Sequence, residues 1–163
     1  MEKRESWYDN GQLQELAFYR NGKREGECKT WYKNGEFGTL AFYRDGKQEG
    51  IYTTWHENGQ LYRQMFYEDG KLEGRFRMLS ENGQLIRQIF CQNGAIEGES
   101  KFYRVTGTME FYVYYRNSSI FDYDFNPQKK LIPLGMKHHF RKDNSNLLNT
   151  LLISDLIGII KSD

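Results

Sequence analysis

Polar turn dipeptides divide the chain into aromatic-rich segments of two alternating lengths. They fall at Asn10-Gly11, Asn21-Gly22, Asn34-Gly35, Asp45-Gly46, Asn58-Gly59, Asp69-Gly70, Asn82-Gly83 and Asn93-Gly94, with spacings that alternate between 11 and 13 residues, so the true period is 24. A second mark keeps that period: Glu25-Gly26, Glu49-Gly50, Glu73-Gly74 and Glu97-Gly98 each follow a turn by a fixed offset. Self-similarity on this scale is the signature of a repeat array, and it constrains every later assignment of a role to a residue. Asn-Gly and Asp-Gly suit two-residue type I′ turns, whose central residues both need positive φ, so each pair is read as a hairpin tip. The segments between tips, such as Gln60 to Glu68 and Lys47 to Glu57, are rich in Tyr, Phe, Trp and Thr and have strand length. One unit is therefore two strands and two turns, and the Glu-Gly in its longer segment predicts a β-bulge or a close backbone approach.

Stacking the units aligns like residues in columns. Trp7, Trp31, Trp55, Leu79 and Tyr103 form one, and Phe18, Phe42, Phe66, Phe90 and Tyr114 another. Leu13, Phe37, Leu61, Leu85 and Met109 form a third, and Ala17, Ala41, Met65, Ile89 and Val113 a fourth. If Glu57 pairs with Gln60 across the Asn58-Gly59 turn, alternation puts the Trp and Phe columns on one face and the other two on the opposite face. The fold class this predicts is all-β: a single-layer, twisted antiparallel meander of about ten strands built from 24-residue double-hairpin repeats, with contacts mostly between neighbouring units. The array covers residues 2–117. Residues 118–143 lose the period and read as an irregular connector with room for one strand. Residues 144–161 read as a helix N-capped in Asn144-Ser145-Asn146, with Leu147, Leu148, Leu151, Leu152, Leu156, Ile159 and Ile160 at helical spacing. That helix is too short for a bilayer, which needs about 20 apolar residues, and it holds Asp155. Its apolar surface extends round to Ile153 and Ile157, which suits either a cap on the sheet edge or a docking element that self-associates or meets another protein.

Composition sharpens this picture. The chain of 163 residues has room for one array and a tail, with 12 Tyr and 11 Phe beside only 2 Pro. Lys and Arg number 23 against 22 Asp and Glu, with the signs interspersed, so no global field draws in nucleic acid or an anionic bilayer. The charged start MEKRE is not a secretion signal, and a reducing cytosol is the expected compartment. Cys28 and Cys91 stand nearly three units apart, on the order of 20 Å or more across strands spaced about 4.8 Å. A disulfide spans only about 7 Å between Cα atoms, so both cysteines are read as packing thiols.

The usual catalytic signatures are absent: there is no P-loop, dinucleotide fingerprint, nucleophile elbow or His/Cys metal spacing, so no enzyme, cofactor or metal is expected. His138-His139 lacks a further ligand nearby, and the sequon at Asn117-Ser118-Ser119 is read as structural. Glu25, Glu49, Glu73 and Glu97 recur once per unit beside Lys23, Lys47 and Lys71, which assigns them to turns rather than to a carboxylate pair. Alternating basic and aromatic residues such as Arg44 beside Tyr43 suggest nucleic-acid or phosphoinositide contact, but interleaved glutamates dilute the charge.

The segments GECKTWYKNGEFGTLAFYRDGKQE and GIYTTWHENGQLYRQMFYEDGKLE resemble the MORN repeat, and more closely its W-Y-x-N-G-Q-L subtype, seen in bacterial proteins labelled as antitoxin components and in expanded sets in large DNA viruses of amoebae. The match weakens toward the C-terminus, where Leu79-Ser80 replaces Trp-Tyr and Thr106-Gly107 replaces Asn-Gly. The resemblance implies a non-enzymatic interaction or scaffold protein. A minor component of a virus particle, touching capsid or assembly proteins in the virion or host cytoplasm, is the preferred setting; an antitoxin-like binder of one protein comes second and a peripheral phosphoinositide module third. Trp31, Trp55, Phe42, Phe66 and Tyr43 are the expected partner-binding residues of the array, and Leu152, Leu156 and Ile160 those of the tail.

Overall fold

The structure, a computed structural model, describes residues 1–124. Its strands are β1 (Glu2–Trp7), β2 (Leu13–Arg20), β3 (Lys23–Trp31), β4 (Phe37–Arg44), β5 (Lys47–Gln48), β6 (Gly50–Trp55), β7 (Leu61–Glu68), β8 (Lys71–Leu79), β9 (Leu85–Gln92), β10 (Ala95–Ile96), β11 (Gly98–Tyr103), β12 (Met109–Arg116) and β13 (Ser119–Asp124). They form one open antiparallel sheet in which successive strands pair in chain order, with short β5 held on β4 and short β10 on β9. There is no helix among the described residues. The hairpin meander is the one the turn spacing predicts; the helix expected over residues 144–161 lies outside the described residues. Strand β13 pairs with β12 through a further turn at Asn117-Ser118, so the sheet runs on past residue 117 into the stretch read as a connector.

The dipeptides make two kinds of tip. At Asn21-Gly22, Asp45-Gly46, Asp69-Gly70 and Asn93-Gly94 both residues have positive φ, as in Asp45 at 51° and Gly46 at 84°. The flanking residues pair directly, Arg44 with Lys47 and Glu68 with Lys71, as the two-residue type I′ turn requires. At Asn10-Gly11, Asn34-Gly35, Asn58-Gly59 and Asn82-Gly83 only the glycine has positive φ. Here Gly59 N–H donates to His56 O at 2.9 Å and His56 N–H to Gln60 O at 2.8 Å. This is a three-residue loop, a type I turn closed by a left-handed glycine that forms a bulge. The expectation of a two-residue turn at every tip is thus corrected at every second one.

The correction moves a column. With His56 rather than Glu57 opposite Gln60, the register brings Trp55 against Leu61 and Trp31 against Phe37, each next to a one-residue shift. The Leu13/Phe37/Leu61 column therefore shares the face of the Trp and Phe columns, not that of the alanines. Ring contacts follow: Trp31 meets Phe37 edge-on at 5.2 Å, and Phe37 meets Trp55 at 5.1 Å. Across the sheet, Ala17, Cys28 and Ala41 are buried under Tyr19, Tyr43 and Tyr52. Met65, Phe76, Ile89 and Val113 continue that core along the array.

Bulges at the Glu-Gly pairs accommodate the longer strand. The register passes from Ala17–Cys28 to Tyr19–Arg24 across Gly26, and from Gln64–Arg77 to Phe66–Glu73 across Gly74. In the other units the same point splits β5 from β6 and β10 from β11, with Glu49 N–H bonded to Phe42 O and Glu97 N–H to Phe90 O.

Successive units are fastened along both sheet edges. On the type I′ edge, the backbone N–H of Asp45, Asp69, Asn93 and Asn117 donates to Oε2 of Glu25, Glu49, Glu73 and Glu97 at 2.8–2.9 Å. The next N–H, of Gly46, Gly70, Gly94 and Ser118, donates to the backbone oxygen of Arg24, Gln48, Leu72 and Ile96. On the opposite edge, side chains reach forward. Tyr8 and Tyr32 hydroxyls donate to Trp31 O and Trp55 O, and a ring nitrogen of His56 lies 3.0 Å from Leu79 O. Asn10, Asn34 and Asn58 each donate Nδ2 to a carbonyl of the following unit while Oδ1 accepts an N–H within their own loop. An ionised aspartate at these positions could accept but not donate.

Two predictions follow from these ties. Asn34→Asp keeps the acceptor but loses the donor to Glu57 O, and should lower stability by about 1 kcal/mol, whereas Asp45→Asn, at a turn that uses backbone donors, should change it by less than about 0.5 kcal/mol. Urea unfolding midpoints check the contrast, and equal effects would remove the distinction between the two edges. Cys28 and Cys91 are free and buried, and burial pushes both thiols up to about 11 from an ordinary value of 9.0. A thiol whose pKa is raised in the folded state favours folding below the unfolded value, so stability should fall as pH rises from about 9 towards 11. Below pH 8 both thiols should react with alkylating reagents only on unfolding, which mass spectrometry of the alkylated chain reads directly.

Candidate protein-binding face

The Trp and Phe columns create one face. Register sets Glu27 against Phe42, Ile51 against Phe66 and Arg75 against Phe90. On this face Trp31 and Trp55 are half-buried by their contacts with Phe37, while Phe42 and Phe66 remain 38% and 44% exposed. Two residues absent from the sequence expectation join them, Ile51 at 49% and Phe90 at 41%. Phe90 could have been read from its column. Ile51 carries a different signal: it stands where the other units have Lys3, Glu27, Arg75 and Glu99, so it is an apolar residue at a position that is otherwise charged.

Tyr43 does not belong to this face. It packs against the Ala17, Cys28 and Ala41 core, and its hydroxyl accepts hydrogen bonds from Arg24 at 3.3 Å and Gln48 at 3.5 Å. The guanidinium of Arg24 also lies 5.3 Å from the Tyr43 ring centre. Tyr43 is therefore brought together with structural partners rather than with the exposed phenylalanines. Leu152, Leu156 and Ile160 lie outside the described residues.

The alanine face carries a shallow hollow of about 380 Å³ near the first two units, lined by Ser6, Tyr8, Glu15, Thr30, Tyr32 and Thr39 among others. Its acid, Glu15, is paired with Arg24 at 2.7 Å and also accepts from Cys28 Sγ at 3.5 Å, a buried thiol whose pKa is pushed up to about 11. Further along this face the column of Ser6 and Thr30 continues as Thr54, Met78 and Phe102, so larger side chains take up the corresponding space. The repeated glutamates are engaged by turn N–H groups, and among the described residues no group of His, Cys, Asp and Glu is placed to hold a metal ion.

Comparison with known proteins agrees with this architecture. Residues 3–21 and 48–69 match the family model of the MORN repeat variant. No curated protein matches the chain. The first matched segment spans β1, β2 and the turn between them, and the second runs from β5 through β7, so both fall on the hairpins that recur through the sheet. The same tips, glutamate ties and strand pairs repeat between and beyond those segments, so the sheet is an array of units similar to the MORN repeat variant matched at residues 3–21 and 48–69.

Proposed function

We propose that this chain is a non-enzymatic interaction protein, a scaffold whose array offers its Trp/Phe face to a protein partner. The observation that carries the reading is the cluster of Phe42, Ile51, Phe66 and Phe90, large apolar side chains left 38–49% exposed in neighbouring strands. Adjacent exposed apolar residues of this kind mark interaction sites, because leaving them in water forfeits about 25 cal/mol for each Å² that a partner could cover. MORN repeats are in general non-catalytic modules for interaction with proteins or membranes, and that general role agrees with the surface. No helix among the described residues is long and apolar enough to cross a membrane, a statement that does not bear on strands. Among the described residues both thiols are buried, and Glu25, Glu49, Glu73 and Glu97 are held by turn N–H groups.

The decisive experiment is a crosslinked pull-down from the native source, identified by mass spectrometry, with three baits: the full chain, a chain ended at Asp143, and a full chain carrying Phe42→Ser and Phe66→Ser. The expected result is a protein retained by the first two baits and lost with the third. A partner lost on ending the chain at Asp143 would transfer the role to the segment containing Leu152, Leu156 and Ile160. Capsid or assembly proteins in the bound set would identify a structural assembly, and a single small partner an antitoxin-like pairing.

A further inference from the structure

The exposed row has a spacing that selects the kind of partner. This inference rests on the protein-binding reading and names the partner's structure. Phe42, Phe66 and Phe90 lie on β4, β7 and β9, each two full strands from the last, with Ile51 and Arg75 on the strands between. At ordinary strand spacing that places a phenylalanine about every 9.6 Å along a line crossing the strands. An α-helix returns to the same face every seven residues, about 10.5 Å, so it stays in step over three phenylalanines with a drift of about 1 Å per unit that a small tilt absorbs. An extended peptide returns to one face about every 6.8 Å and is out of step at the second ring.

Charge adds a second selection. Beside the phenylalanines, two positions per unit, two residues apart on one strand, face the same way. They hold ion pairs in three units: Lys3 with Glu5, Lys29 with Glu27 and Lys101 with Glu99. The second unit has Ile51 and Thr53, and the third has Arg75 and Arg77, both exposed and without an ion pair among the described residues. The other units act as internal controls: where the chain elsewhere supplies the acid, here it supplies a second base beside the exposed rings. We propose that this face binds an acidic amphipathic α-helix of a protein partner, with apolar residues at heptad spacing over Phe42, Phe66 and Phe90 and a carboxylate at Arg75 and Arg77.

The test pans a display library of random 24-residue peptides on the full chain, with counter-selection on the full chain carrying Phe42→Ser, Phe66→Ser and Phe90→Ser. The expected peptides have apolar residues at i, i+3 or i+4 and i+7, carry Asp or Glu between them, and become helical on binding by circular dichroism. They should lose about tenfold in affinity to an Arg75→Glu/Arg77→Glu chain, a variant whose exposed positions leave the sheet intact. Peptides with strand alternation, peptides indifferent to the substitutions, or an absence of peptides that distinguish the two baits would each overturn the inference. So would Phe-dependent binding to vesicles of phosphatidylcholine and phosphatidylserine. A native partner that binds the triple variant as well as the parent sinks this inference while leaving the protein-binding reading standing; absence of any native partner sinks that reading itself.

Discussion

A single-layer sheet has no second layer to seal its core, so the interface between successive units has to be specific. Each type I′ turn after the first projects two adjacent backbone N–H groups toward the preceding unit, where a glutamate carboxylate takes one and a backbone oxygen the other. Those N–H groups are obligatory donors, and the carboxylate that meets them is the stronger kind of acceptor. The bulge at Glu-Gly serves this contact. The extra residues let the glutamate leave the ladder and reach the neighbouring turn, while the positive φ of the following glycine, 81° at Gly26, returns the chain to the sheet. The period, the bulge and the acidic residue are one device.

The meander was legible because turn chemistry and strand composition gave the same answer at every unit. Asn-Gly and Asp-Gly set the tips, and the segments between them had the right length and residue types. The roles of the two edges were also written in the sequence, in a form that needs geometry to interpret. Asn10, Asn34, Asn58 and Asn82 never become aspartate, whereas the other edge mixes Asn21 and Asn93 with Asp45 and Asp69. An ionised carboxylate cannot donate to the next unit, so the amide cannot be exchanged for aspartate there, whereas a side chain that merely tolerates positive φ carries no such requirement.

What the sequence left open follows from the same chemistry. One dipeptide, Asn-Gly, serves both a two-residue and a three-residue loop, and the difference of one residue reverses which face a strand presents. That is why Phe37 belongs with Trp31 and Trp55 rather than with Ala41. The same alternation puts Tyr43 on the face opposite Phe42, where Arg24 and Gln48 hold its hydroxyl beside the Ala17, Cys28 and Ala41 core. Phe42 and Phe66 were legible as candidates because their column is apolar in every unit. Arg75 and Arg77 become visible only once the register shows which charges face each other.

The erosion of the repeat toward the C-terminus is uneven, and the unevenness separates stability from recognition. On the Asn-Gly edge the forward donors give out: Ser80 turns its hydroxyl to Asn82 and Gln84 of its own loop, and Arg104 and Thr106 occupy the columns of Tyr8 and Asn10. On the type I′ edge nothing is lost, since Glu97 still meets Asn117 N–H and Ile96 O still takes Ser118 N–H. The core meanwhile gains bulk at Phe76 and Ile89, where earlier units have Cys28 and Ala17, and at Val113 and Phe102, while the column of Cys28 and Phe76 ends in fully buried Ser100. Burial of larger side chains thus takes over from hydrogen bonds along one edge, because a buried phenylalanine contributes more than an exposed hydroxyl tie. Through this exchange the exposed ladder from Phe42 to Phe90 persists, and Ile51 and Arg75 enter it where earlier units have Lys3 and Glu27. Changes that reinforce the buried face explain folding; the ladder on the other face gains nothing for the fold by its exposure, and that asymmetry is what the proposed protein-binding role rests on.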